Sequence, residues 1–175
     1  FDGAWTPQIA YVAVFNVLTN EEIDTDKDSG DMLGIPLPIK NPGAIQYLVE
    51  NDTIYVQGSG YFFGTPEYTG GIVSIDPDTY ETNMVLDDGL PYGNITGMAI
   101  LSPTKGYFVG YAGWGDNTLY TFDPSSPSPV GTAIEELKNI QIAGMESGVY
   151  FDENNMLWVC NQTDARVDIL NTTDD

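Results

Sequence analysis

Short runs of β-branched and aromatic residues recur along the chain at a constant interval. Three of these runs begin 47 residues apart, and each ends in Asp-Pro or in Asn, residue types that start turns. A related run lies 61 residues before the first of them. Equal spacing of a β-rich segment predicts a repeat architecture. In chain order the four runs are Tyr11–Asn16, Ile72–Pro77, Leu119–Pro124 and Arg166–Asn171.

Each repeat contains enough apolar segments for four strands. A second recurring strand precedes the three spaced runs, at Ile54–Val56, Tyr107–Val109 and Leu157–Val159. A further strand with a polar turn lies before it, and a fourth follows near Thr82–Leu86 and Val130–Glu135. Four strands in roughly 45 residues predict an all-β fold, a β-propeller of four-stranded antiparallel blades with about 3.5 blades present. The alternative is a β-sandwich, whose strands also recur at short intervals but not in equal 47-residue steps.

The pattern divides the chain into segments of one partial or half propeller. The predicted units are a partial blade at 1–41, blades at 43–92 and 94–138, and a partial blade at 142–175. The pattern therefore starts and stops inside a blade. Since unpaired strand edges promote aggregation, we expect the remaining blades to come from a larger propeller or from a second chain.

The last repeat carries a family resemblance. Gly148–Asn161, followed by Arg166–Thr172, resembles the YVTN repeat, which is similar to NHL and other surface-layer-type propellers. Leu157–Asn161 stands at the motif that gives the repeat its name, whereas Tyr55–Gly58 and Phe108–Gly110 match loosely. The resemblance implies the propeller fold and brings no catalytic residue with it.

The charge balance excludes several functions. Asp and Glu total 26 against five Lys and Arg, there is no His, and the net charge is −21. This charge repels nucleic-acid phosphates and anionic lipid surfaces, and no apolar run is long enough for membrane insertion. Without His, neither a Ser-His-Asp triad nor a His metal site is possible, so we expect no haem and no zinc. No phosphate-binding glycine motif is present, so we expect no nucleotide.

Cysteine and glycosylation patterns suggest a location for the protein. The single cysteine, Cys160, excludes an internal disulfide, and its apolar neighbours predict a small core residue. Four N-x-S/T patterns begin at Asn51, Asn94, Asn161 and Asn171, which agrees with a glycoprotein. The chain starts without Met and without a leader segment, as expected of a mature or excised chain. We therefore expect a secreted or cell-surface protein.

An acidic insert forms the first candidate site. The extra residues of the first repeat contain alternating carboxylates, which can surround a hard cation such as calcium. An EF-hand is disfavoured, because Ser29 follows the third Asp where a glycine is needed. The alternative is a solvated acidic hairpin tip. The candidate calcium ligands are Asp24, Asp26, Asp28 and Asp31.

Aromatic residues on glycine-flanked loops form the second candidate site. The loops between the second and third strands lie at the same end of a blade as the link to the next blade, and the acidic insert should lie at the opposite end. Rings on such loops suit a protein or carbohydrate ligand, although they could instead pack between blades. The candidate ligand-binding residues are Tyr61, Phe63, Tyr68, Tyr92, Tyr111 and Trp114.

These patterns favour a non-enzymatic extracellular or cell-surface β-propeller module for ligand or protein binding or for surface assembly. One alternative is a calcium-dependent propeller hydrolase or a lactonase-like enzyme, which would need carboxylates and Asn around a metal at the central axis. The other alternative is a structural subunit of a surface layer or fibre.

Overall fold

The computed structural model describes residues 6–27, 30–61, 67–142, 149–151 and 156–173. These residues form β-strands joined by turns, with two short 3₁₀ segments, Val49–Asn51 and Glu135–Leu137, and no α-helix. The strands are β1 (Ile9–Val12), β2 (Phe15–Asn16), β3 (Glu21–Glu22), β4 (Ile35–Lys40), β5 (Pro42–Leu48), β6 (Thr53–Gly58), β7 (Gly71–Ile75), β8 (Thr82–Asp87), β9 (Asn94–Ser102), β10 (Lys105–Gly113), β11 (Asp116–Phe122), β12 (Thr132–Ala133), β13 (Val149–Phe151), β14 (Met156–Asn161) and β15 (Arg166–Asn171).

The strands form antiparallel sheets in chain order. Sheet I pairs β1 with β4 around the small hairpin β2–β3. Sheet II has the order β5-β6-β7-β8, sheet III the order β9-β10-β11-β12, and sheet IV the order β13-β14-β15. The all-β prediction and the prediction of four-stranded antiparallel sheets are confirmed. The described sheets do not close into a ring.

Sheets II and III are apolar on both faces because each packs between two neighbours. The buried face of β4 packs on Val56, Val73 and Ile75 of sheet II. The opposite face of sheet II packs on sheet III, and the far face of sheet III packs on sheet IV. A strand buried on both faces needs a continuous apolar run, because successive side chains point to opposite faces. This explains why adjacent residues such as Ile72 and Val73 are both apolar.

The first strands of successive sheets lie next to one another. Strand β5 contacts β9, and β9 contacts β13. Gln46 strengthens the first of these contacts, since its side-chain amide pairs with the backbone of Ile100. The Ile100 N–H donates to Gln46 Oε1 at 2.9 Å, and Gln46 Nε2 donates to the Ile100 carbonyl at 2.5 Å. The side chain thus acts as a strand partner for the edge of sheet III.

The turn residues at the ends of the repeated runs share one local structure. Asp76 Oδ1 accepts hydrogen bonds from the Asp78 and Thr79 N–H groups, both at 2.9 Å. These bonds to the ionised form lower the pKa of Asp76, with the Thr79 N–H as the largest cause. Asp123, Asn171 and Asn16 accept in the same way from the N–H two residues later. The prediction that these residues start turns is confirmed.

The last run, Arg166–Asn171, is offset by one residue from the 47-residue spacing. Ile72 pairs with Gln57 and faces sheet III, and Leu119 pairs with Val109 and faces sheet IV. In sheet IV the position that points away from the preceding sheet is Val167, not Arg166. The alignment that placed Arg166 with Ile72 is therefore wrong by one residue, and one residue reverses the face in a strand.

Candidate functional site

The strand connections bring several segments to one edge of the stack. In the antiparallel registers, Gly58 lies opposite Gly71 and Asn94 lies opposite Tyr111. Because neighbouring antiparallel strands run in opposite directions, the segments that join these positions share one edge. We call this edge the loop end. Its described segments include 59–61, 67–70, 88–93, 114–115, 138–142 and 162–165, together with Asn41.

A buried polar cluster lies at the loop end, between sheets II and III. Asn94, the first residue of β9, is its centre. Asn94 Nδ2 donates to the Ser59 carbonyl at 3.0 Å and to Asp88 Oδ2 at 3.4 Å. These bonds join the loop after β6 to the link between the two sheets. We call this cluster the polar pocket, and it consists of Gln57, Ser59, Gly70, Asp88 and Asn94.

Gly70 allows the close approach of Asp88. Its N–H donates to Asp88 Oδ2 at 3.0 Å. A Cβ atom at this position would lie 2.8 Å from the same Oδ2 and 2.4 Å from the carbonyl of Gly58. Since a Cβ atom does not approach other atoms so closely, the polar pocket requires glycine here.

Two side chains of the pocket, those of Asp88 and Gln57, are incompletely paired. Asp88 is 9% exposed and Gln57 is 1% exposed. Among the described residues, Asp88 Oδ1 and Gln57 Oε1 are the buried side-chain atoms without a hydrogen-bond partner. Burial raises the pKa of Asp88 to about 6, since desolvation outweighs the hydrogen bond from Gly70 that lowers it. Gln57 is held by its amide nitrogen, which donates to the Ile95 carbonyl at 2.5 Å.

The predicted aromatic residues occupy different environments. Trp114 lies at the tip of the β10–β11 hairpin and is 83% exposed. Tyr68 is exposed beside Gly89, and Tyr61 is half-buried and bridged to Glu67. Tyr111 is half-buried within β10, and Phe63 lies outside the described residues. The loop end therefore presents Tyr61, Tyr68 and Trp114 close to solvent.

Tyr92 belongs to the core and not to the exposed aromatic surface that the sequence predicted. Its ring packs edge-on against Phe108 and Tyr120, with ring centroids 5.1 and 5.0 Å apart. Its hydroxyl accepts a hydrogen bond from the Gly131 N–H at 2.8 Å. The alternative for these rings, packing between sheets, is the one that the structure shows for Tyr92.

The acidic insert lies away from the loop end. Asp24, Asp26 and Asp31 are exposed, and Asp24 Oδ1 accepts a hydrogen bond from the Asp26 N–H at 3.0 Å. Asp28 lies outside the described residues. In the described part of the chain, no group of three or more acidic, His or Cys side chains is placed to hold a metal ion. Calcium binding by this insert stays a prediction.

The outer face of sheet IV carries exposed apolar side chains. Trp158 is 40% exposed, Val167 51% and Ile169 52%. Cross-strand pairing puts them on one face, since Trp158 lies opposite Ile169 and Cys160 opposite Val167. The prediction that Cys160 is a core residue is wrong, because the thiol is on this face and half-buried. We call Trp158, Cys160, Val167 and Ile169 the outer face.

The positions of Trp158 and Val167 are buried in the other sheets. Tyr55 and Ile72 of sheet II pack against sheet III, with 4% and 0% exposure. The corresponding residues of sheet III, Tyr107 and Leu119, are fully buried in the core that it shares with sheet IV. In sheet IV these positions are Trp158 and Val167. Three sheets thus place an aromatic residue and an aliphatic residue at the same positions, and of these three pairs only the last is exposed.

The N-x-S/T patterns differ in accessibility. Asn51 and Asn171 are exposed, whereas Asn94 and Asn161 are each 1% exposed. Asn161 Nδ2 donates to Asp164 and Asp168. A glycan on either buried asparagine is incompatible with this fold, so only two of the four patterns agree with a glycoprotein.

Sequence reasoning missed Gln57 and Asp88. Asp88 follows Asp87 in an ordinary turn sequence, and nothing in the sequence distinguishes the buried carboxylate from its exposed neighbour. Asn94 stands out in the sequence only as part of a glycosylation pattern and as a neighbour of Tyr92. A polar residue at the start of an apolar strand was the one available signal.

The comparisons with known proteins do not identify a family. No family model matches the chain, and no curated protein is significantly similar to it. The resemblance to YVTN repeats therefore rests on the sequence alone and stays a prediction. Within the described residues, no helix is both long and apolar enough to span a membrane.

Proposed function

We propose that this chain is a non-enzymatic β-propeller module that assembles by stacking its end sheets on further blades. In this proposal sheets II and III are complete blades, and sheets I and IV are partial ones. Three features support a propeller: sheets that stack in chain order, first strands that lie side by side, and the same turn at each repeat. A sandwich would bury only one face of each sheet.

The outer face of sheet IV is the observation that carries the assembly function. Trp158 and Val167 occupy positions that the two preceding sheets use to bury a neighbour. Exposed apolar residues grouped on one strand-paired face are typical of an interface. The surface is therefore built to receive another sheet.

A second copy of the chain is the proposed occupant. Sheet I covers sheet II through β4, which contacts β6, β7 and β8, and it leaves Ile45 and Tyr47 of β5 exposed. Apolar surface is thus present at both ends of the stack, as a head-to-tail contact requires. A closed contact would give a ring of blades, and an open one would give a fibre or a surface layer.

Two exposed glycosylation patterns, at Asn51 and Asn171, support a secreted or cell-surface location.

Sedimentation equilibrium of the wild type and of Ile169→Lys tests the assembly. We expect the wild type to form species larger than the 19.1 kDa chain at micromolar concentration and moderate salt. Ile169→Lys should stay monomeric, because burying a lysine in an apolar interface is unfavourable. Val130→Lys is the matched control, since Val130 is also exposed but lies between β11 and β12 of the internal sheet III, away from both proposed contact surfaces.

The single cysteine gives an independent readout. Covering the outer face should slow the reaction of the Cys160 thiol with a soluble disulfide reagent, and Ile169→Lys should restore the faster rate. A wild type that remains at the mass of one chain, with the same thiol reaction rate at all protein concentrations, would contradict the proposal. Val167→Lys provides a second variant if Ile169→Lys does not fold, as judged by circular dichroism.

A further inference from the structure

The polar pocket has an excess of buried oxygen acceptors. Asp88 Oδ2 already receives two hydrogen bonds, and Gln57 Nε2 is used by Ile95. This leaves Asp88 Oδ1 and Gln57 Oε1 buried and without a hydrogen-bond partner among the described residues. Leaving a buried acceptor unpaired costs about 1–3 kcal/mol, and more for a charged group. Two such atoms in one hydrogen-bonded cluster indicate that something else binds there.

Both unpaired atoms belong to the same connected cluster. Gln57 and Ser59 are neighbours at the end of β6, and Asn94 and Ile95 are adjacent in β9. Gln57 bonds to Ile95, and Asn94 bonds to both Ser59 and Asp88. The hydrogen-bond donors of these side chains are directed at carbonyls or at Asp88 Oδ2. No ion pair found between described residues includes Asp88.

The chemistry of the two atoms selects the ligand. A carboxylate oxygen and an amide oxygen are the ligand types that hard cations prefer, and calcium also takes backbone carbonyls and water. The net charge of −21 raises the local concentration of cations. Exposed Asp87 next to Asp88 adds to the negative potential.

We propose that the polar pocket binds a calcium ion through Asp88 Oδ1 and Gln57 Oε1. The site lies where sheet II meets sheet III. Gln57 is in β6 and Asp88 directly follows β8, and their hydrogen-bond partners Ile95 and Asn94 are in β9. The site is distinct from the acidic insert, which lies away from the loop end and contributes no ligand to the pocket. With one carboxylate, its affinity should be near that of extracellular calcium modules, with Kd about 10⁻⁴–10⁻³ M. Calcium therefore should act as a bond between sheets in a calcium-rich medium.

Thermal unfolding during a calcium titration tests the proposal, at a pH well above the pKa of Asp88. We expect calcium to raise the Tm of the wild type in a saturable way. Asp88→Asn should weaken the apparent affinity by at least about tenfold, since it removes the only carboxylate ligand. Asp87→Asn is the matched control, because it removes the same charge from an exposed neighbour. Asp26→Ala, in the acidic insert, should leave the response of the pocket intact.

A second variant adds a charge instead of removing one. Gln57→Glu keeps an oxygen at the ligand position, so we expect a calcium affinity at least as high as that of the wild type. Without calcium we expect a lower Tm, because the variant adds a buried negative charge. It also keeps the test decisive if Asp88→Asn does not fold. An equal calcium response in wild type and Asp88→Asn would overturn the proposal, since that response would not come from this pocket. A wild type that ignores calcium would also overturn it and would indicate a proton on Asp88.

Discussion

Two aromatic residues of the loop end, Tyr92 and Trp114, show how similar local sequences lead to opposite environments. Each precedes a glycine with positive φ, 73° at Gly93 and 77° at Gly115. A Cβ atom at Gly93 would lie 2.1 Å from the carbonyl of Tyr111, whereas a Cβ atom at Gly115 would meet nothing within 4 Å. The first glycine therefore packs the link against sheet III and turns Tyr92 inward, and the second only closes a solvent-exposed hairpin.

The difference between the two rings can be measured as stability. Tyr92→Phe removes the acceptor of the Gly131 N–H and should lower the free energy of unfolding by about 1 kcal/mol. Tyr92→Ala should cost about 3–5 kcal/mol, because it leaves a cavity beside Phe108. Trp114→Ala should change stability by less than about 0.5 kcal/mol. Urea unfolding followed by circular dichroism measures all three, and an equal loss for Trp114→Ala and Tyr92→Ala would contradict this assignment.

The sequence could not predict which residues of the candidate sites are buried. Trp158 and Tyr55 lie in similar strand patterns, and their exposure differs only because a sheet covers one of them. In the same way, Asp87 and Asp88 are adjacent and of one type, yet only Asp88 is buried. These differences depend on contacts between segments that are far apart in the chain.

At the scale of strands, the repeat spacing predicts the elements better than it predicts their faces. The 47-residue step locates the third strand of sheets II, III and IV to within one residue, and the Asp and Asn turn residues define where it ends. The faces depend on pairing, and pairing includes irregular positions such as the one between Ile72 and Val73. Because a shift of one residue moves a side chain to the other face, similarity of short apolar runs does not determine the register.

The contact between β5 and β9 gives a test at this scale. Gln46→Leu removes both hydrogen bonds to Ile100 and leaves a part-buried N–H and carbonyl unpaired. We expect a loss of roughly 1–3 kcal/mol in the free energy of unfolding. Gln162→Leu is the control, because Gln162 is exposed. Hydrogen exchange should show faster exchange of the Ile100 amide in Gln46→Leu, and an unchanged rate would contradict the pairing.

For the whole molecule, stability combines apolar contacts between sheets with strong charge repulsion. The clusters that join sheets I to IV are almost entirely aliphatic and aromatic. The ion pairs between described residues are those of Lys138 and Arg166, and they are at the surface, where such pairs contribute little. The chain has 26 acidic and five basic residues, so most of its negative charge is not compensated by ion pairs.

Screening this repulsion should stabilise the protein. At 0.1 M salt the Debye length is about 10 Å, so added sodium chloride weakens repulsion between separated surface carboxylates. We expect the urea midpoint to rise steadily with sodium chloride, with no saturation at low concentration. The double variant Asp26→Asn and Asp31→Asn should show a smaller rise, because it removes two exposed charges. If the midpoint falls with salt, attractive charge pairs dominate and the net charge does not limit the stability of the fold.

The same screening should strengthen contact between copies through the outer face, since two chains of charge −21 repel each other.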